Sequence, residues 1–388
     1  MPERKDQQEQ MNLMTSSNVS SPSDAPVESS AAKSSLKRAA AKDLDLPLKL
    51  QVASALAASG YSSRINVLLS ATSSRGLADV TDVDVLAIRY DLMFKRDVVA
   101  VTCKAGASKT LSPAREAFYL RGVLDYVEAG EGVAAFYQKP IAPHLRDLGQ
   151  RLGILMLSGD EIERWCQHLT NGLPDPGYFR ESAYETYRKS WERLGKEGLA
   201  SYLNSDYWFH FDFRNLQNLI VHLRKVSSKL DGKEEWHGVI AWDTASHLCL
   251  TIFDLCRQVR MLGLESISDT TAAYLFGGAA SLKARRDLYS RVQQLLASTG
   301  VAGQGGATLP PLEPMYSQGL AELALRFIER PHSAILIPMI IQDNFWRLLG
   351  AEGLPGRDDK NFLAAEKLTQ DLLNFIKSAT GAPWMPKL

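Results

Sequence analysis

From Leu46 the chain carries apolar positions in two rhythms, first strand-like and then almost wholly helical. In "LPLKLQVASALAASGY", Leu48, Val52 and Leu56 recur at helical spacing, and Gly60 stops the helix. Short apolar runs follow: "INVLLSAT" (Ile65–Thr72), Val83–Arg89 and Val98–Lys104, read as three strands separated by the loops "SSRGLADVTD" and "YDLMFKRD". Pro113 then sits in the first turn of a helix running to Ala129. Beyond it come a strand (Gly132–Gln138), a helix (Pro143–Gly153), a strand (Ile154–Leu157) and a helix opening at Ser158. The order α-β-β-β-α-β-α-β-α predicts a meander followed by crossover units, which need parallel strands.

After residue 170 the texture changes. The loop "NGLPDPGYF" has two prolines and two glycines, and the segments beyond it repeat at helical spacing. The pattern predicts an α/β domain over 45–170 and an all-α domain over 178–388, with a Gly/Pro linker inside it near 298–314. Residues 1–44 are rich in Ser, Ala, Gln and Lys and poor in aromatics, a composition that predicts a disordered tail.

Composition narrows the function only by exclusion. The 388 residues are 45% hydrophobic and 23% charged, and the 44 basic residues match the 44 acidic ones. No bulk positive field therefore advertises a polyanionic partner. The four cysteines are scattered without a CxxC pair, which predicts buried thiols of a reducing cytoplasm rather than zinc ligands or disulfides. The most apolar stretches, "SAILIPMII" and "VIAWDTASHLCLTIF", read as core helices, so no membrane association is expected.

The chemistry concentrates in "DVDVLAIRYDLMFKRDVVAVTCKAG" (Asp82–Gly106). Asp84 enters the second strand, Lys104 ends the third, and Thr102 lies two before the lysine on the same strand face. In this element order, an acid on one strand and a lysine ending the next resemble the PD-(D/E)XK nuclease superfamily, the restriction-endonuclease-like fold with an αβββαβ core and a mixed sheet. The resemblance covers roughly Leu46–Trp165.

It implies a metal-dependent phosphodiesterase site in which Mg²⁺ activates water and neutralises charge on the phosphate. On this sequence the strand-two acid is Asp84, with Asp82 as a second metal ligand on that face, and the catalytic lysine is Lys104. Thr102 stands where a carboxylate is expected. The first helix offers Lys49 and Gln51 where the family often supplies a glutamate. A carboxylate moved to the next helix would be Glu116. Lys104, Lys109, Arg115 and Arg121 form the candidate nucleic-acid-binding cluster.

Three functions follow from the resemblance. The first is a catalytically impaired DNA-binding subunit of a prokaryotic defence or mobile-element assembly, alongside a protein partner. The second is an active Mg²⁺-dependent DNA endonuclease using Glu116. The third is a protein-interaction scaffold without nucleic-acid contact. Elsewhere, Asp243 and His247 lie four apart on one apolar helix and read as a satisfied buried polar pair. "DYWFHFDF" (Asp206–Phe213) reads as helix-bundle core rather than a base-stacking surface.

Overall fold

A computed structural model describes residues 43–73, 76–106, 111–170, 176–195, 198–209, 212–262, 266–298, 309–353 and 360–388. The N-terminal tail before residue 43, Lys109 and most of the 298–314 linker lie outside these residues.

Helix α1 (Leu46–Ala58) opens with a proline in its first turn, where the missing N–H costs nothing. It closes on Gly60 at φ +92°, with the Tyr61 N–H returning to Leu56 O at 3.0 Å. That left-handed residue is cheap only for glycine. The sheet follows: β1 (Ser62–Ser73), β2 (Gly76–Tyr90) and β3 (Arg96–Lys104), then α2 (Pro113–Tyr126), β4 (Glu131–Phe136), α3 (Pro143–Arg151), β5 (Ile154–Ser158) and α4 (Asp160–Thr170).

The five strands lie in the order β1-β2-β3-β4-β5. β1–β2 and β2–β3 are antiparallel, whereas β3–β4 and β4–β5 are parallel, the two crossovers being carried by α2 and α3. Helix α3 presses closely on β5: a Cβ at Gly149 would sit 2.7 Å from the carbonyl oxygen of Ile154. The mixed sheet agrees with the expected α/β class. One difference is local. Residues Gly76–Thr81, expected as loop, extend β2 and pair with β1. Gly and Asp in that stretch hid the strand, which the facing β1 stabilises through its ladder.

The remainder is helical, as the pattern predicts: α5 (Glu181–Leu194), α6 (Gly198–Asn204), α7 (Phe213–Val226), α8 (Glu235–Leu262), α9 (Ile267–Leu275), α10 (Ala279–Ser298), α11 (Ser317–Glu329), α12 (Pro331–Ala334), α13 (Ile337–Leu348) and α14 (Lys360–Thr380). Helix α8 is the hub, packed against α5, α7, α9, α11, α13 and α14. Among the described residues it is the one helix long and apolar enough to cross a membrane, and 94% of its apolar window is buried inside the protein. Its all-round apolar surface is that of a central core helix.

The architecture changes class after α4, near the expected join, but the packing does not divide there. Leu44–Leu388 forms one compact unit with a continuous apolar core. Polar and aromatic contacts stitch the sheet to α8. Tyr90 donates to Asp254 Oδ1 at 2.9 Å, Arg64 pairs with Asp243 at 2.7 Å, and Tyr90 and Phe94 both pack on Phe253 at 5.2 and 5.3 Å between ring centroids.

Candidate functional site

The ladder itself brings the candidate residues together. In the β2–β3 register Val85 faces Val101 and Leu86 faces Ala100, so one step further Asp84 faces Thr102 on the same side of the sheet. Lys104 follows two residues on, at the diagonal position. The Thr102 hydroxyl donates to Asp84 Oδ2 at 3.1 Å, and the Cys103 N–H reaches the same oxygen at 2.7 Å. Lys104 Nζ lies 3.2 Å from it.

The other carboxylate oxygen is taken by a residue from a different element. Lys49, on α1, places Nζ 2.9 Å from Asp84 Oδ1 and donates to Asn66 Oδ1 at 2.8 Å. Its side chain is only 5% exposed and that of Asp84 8%, so this is a buried ion pair. Asn66 sits at φ +56°, a left-handed conformation that asparagine tolerates better than most residues, and this aims its amide oxygen at the lysine. Two ammonium groups thus flank one carboxylate.

The electrostatics follow the geometry. Burial pushes the Asp84 carboxyl upward, but Lys49, Lys104 and the Cys103 N–H together more than reverse this and hold it below the ordinary carboxylate range. Burial lowers Lys104, and Asp84, Glu116 and Asp45 outweigh it, raising the ammonium above its ordinary value. The Cys103 thiol, buried beside Asp84, is pushed well up and stays protonated.

A divalent cation does not fit this donor set. Mg²⁺ takes oxygen ligands, at least one or two of them carboxylates. Both oxygens of Asp84 already accept from ammonium, hydroxyl or amide donors, and Thr102 adds no charge. Among the described residues no group of three or more His, Cys, Asp or Glu is arranged to hold a metal. Asp82 is exposed, and its carbonyl accepts from Tyr119 at 2.8 Å. Glu116 lies buried in the first turn of α2, close enough to act on Lys104, and its carboxylate is 3.6 Å from Arg115.

Of the four expected cations, Lys109 lies outside the described residues and Arg121 stands apart from Lys104. Arg121 is ion-paired with Asp125 and donates to Leu152 O at 3.3 Å, just before β5 begins. The register sets Ile154 beside Gly132 and Gly132 beside Ala100, four residues before Lys104. Arg121 therefore lies at the opposite end of the sheet from Lys104, about 13 Å away along the strand. Arg115 remains near the Lys104 end, 72% exposed. Arg115 and Arg121 are six residues apart on α2, so the helix axis carries the second about 9 Å further along.

Sequence reasoning missed two buried cations, Lys49 as a partner of Asp84 and Arg64 as a partner of Asp243. Lys49 sits in the largely apolar α1, where a charge signals a buried partner, whereas Arg64 follows two serines in β1 and carries no such signal. No family model, curated protein or solved structure matches the chain.

Proposed function

We propose that the α/β part is a PD-(D/E)XK-like module whose metal site has been replaced by a lysine, and that the chain acts as a non-catalytic nucleic-acid-binding or assembly subunit. The observation that carries this is the Lys49 ammonium 2.9 Å from Asp84, where a dication would have to stand. The meander with parallel strands added at β4 and β5, and the acid and lysine on neighbouring strands, support the family resemblance. An ammonium held by a carboxylate supplies neither a bound water of lowered pKa nor a second positive charge on the phosphate. What remains is a strand end at which the half-buried Lys104 and the exposed Arg115 serve as phosphate contacts. Service in a defence or mobile-element complex follows by analogy with the superfamily.

The test has two arms on the full chain. Purified protein should cleave neither single- nor double-stranded DNA with Mg²⁺ or Mn²⁺. Cleavage that is lost in both Asp84→Asn and Glu116→Gln would instead establish the relocated-carboxylate endonuclease. In the second arm, DNA affinity at low salt should fall steeply as salt rises, and Arg115→Ala should shallow that slope by about one unit. No DNA binding at low salt would leave the protein-interaction scaffold.

A further inference from the structure

We propose that the outer face of α2 is a stacking surface for single-stranded nucleic acid, continuing from the strand end that carries Lys104 and Arg115. The inference rests on the nucleic-acid reading above and deepens it by naming the form of strand that the site takes.

The spacing of residues along α2 sets the face. Arg115, Phe118, Gly122 and Tyr126 follow one another at i, i+3, i+7 and i+11, which puts all four on one side of a helix. Ala117, Leu120 and Leu124 lie on the opposite side and are buried. The stripe is therefore turned away from the sheet, with Phe118 59% and Tyr126 52% exposed. From Arg115 to Tyr126 it is about 16 Å long. The Tyr126 ring is held in place by Phe209, at 5.3 Å between centroids. One exposed ring on a surface is ordinary, but two on one helical face, headed by an arginine, form a platform.

Gly122 is the second observation. Glycine inside a helix is destabilising relative to alanine. Close packing does not require it here, since an added Cβ would meet nothing within 4 Å. Its effect is to leave the helix surface bare between the two rings. A flat base stacked on either ring can then lie close against the backbone.

Charge and shape select a single strand. At the head of the stripe Arg115 is 72% exposed and Lys104 28%, whereas the acids beside them, Asp84 and Glu116, are turned inward at 8% and 11%. Phosphates can meet these two cations. The surroundings add little net charge, because Arg121 and Asp125 pair with each other and Asp82 is exposed on β2. Holding a duplex by its backbone draws on many phosphate contacts, which two cations do not provide. Stacking on aromatic rings needs no charge, but it does need an unpaired base, whose face a duplex hides.

Fluorescence anisotropy on the full chain at low salt tests this, with labelled oligothymidylate and a duplex of equal length as probes. The wild type should bind the single strand about tenfold more tightly than the duplex. Phe118→Ala and Tyr126→Ala should each weaken the single strand by about fivefold or more, while Phe118→Tyr and Tyr126→Phe retain it. Gly122→Leu should raise Tm and yet weaken the single strand several-fold, a combination that a merely structural glycine would not give. Far-UV circular dichroism checks folding, and if Tyr126→Ala is not folded, the exposed positions Phe118 and Gly122 decide. A duplex bound as tightly as the single strand, or unchanged single-strand affinity in folded Phe118→Ala and Gly122→Leu, would overturn this inference and leave the nucleic-acid reading standing. Binding of neither probe would overturn both and leave the face to a protein partner.

Discussion

Replacing Lys49 by methionine tests whether a buried lysine organises the strand-end site. The substitution keeps the length of the side chain and deletes its charge. At 2.9 Å and an effective dielectric of about 20, the direct attraction to Asp84 is about 6 kcal/mol before desolvation is subtracted. Breaking a buried pair by removing one partner costs about 3–5 kcal/mol, because the other charge stays buried. Asp84 keeps Lys104 at 3.2 Å, the Cys103 N–H and the Thr102 hydroxyl, which places the loss near 3 kcal/mol. Urea denaturation followed by circular dichroism measures it. Lys49→Met with Asp84→Leu should lose less than the sum of the single changes, by about 2 kcal/mol, since neither charge is then stranded. A single-variant loss under about 1 kcal/mol, or strict additivity, would refute the central role given to this pair.

The same pair sets an acid response. Asp84 is held below the ordinary carboxylate range, so the unfolded chain takes up its proton first as pH falls. The stability it contributes is present above about pH 4 and is lost below it; titrating stability at pH 2–5 should show a shallower loss in Lys49→Met. Asp254 and His247 oppose each other at higher pH. Burial is the main force on both, raising Asp254 to about 7 and lowering His247 to about 4. Between about pH 4 and 6.5 the folded state holds an extra proton on Asp254 and lacks one on His247, so their effects cancel. Asp254→Asn should therefore expose a loss of stability as pH falls through that window, and should gain up to about 4 kcal/mol at pH 8; an unchanged profile would contradict the burial of Asp254. Thr102→Glu together with Lys49→Glu should create a calorimetrically measurable Mn²⁺ site absent from the wild type, and no metal binding would mean that the strand geometry, not the charge, is unsuited. Limited proteolysis within residues 171–175 should not release an independently folded α/β fragment, because Tyr90–Asp254 and Arg64–Asp243 cross the join; a soluble, folded 45–170 fragment would overturn that.

The sequence by itself determined the order of elements, the change from mixed sheet to helices, and the meeting of Asp84, Thr102 and Lys104. These are consequences of local periodicity and strand pleat, since alternation with period two and one hairpin register are enough to set residues on a common face. It did not determine where β2 begins, because a polar, glycine-containing stretch becomes strand only when β1 pairs with it. Nor did it group the cations correctly: Arg115 and Arg121 are close in sequence, but α2 runs back along the sheet and carries them to different ends. The decisive contact, Lys49 on Asp84, joins residues 35 positions apart through the packing of α1 on the sheet, and Arg64 on Asp243 joins residues 179 apart. Both are buried charges seeking partners. Sequence shows that such a charge must be neutralised, but only the packed tertiary structure decides by which residue.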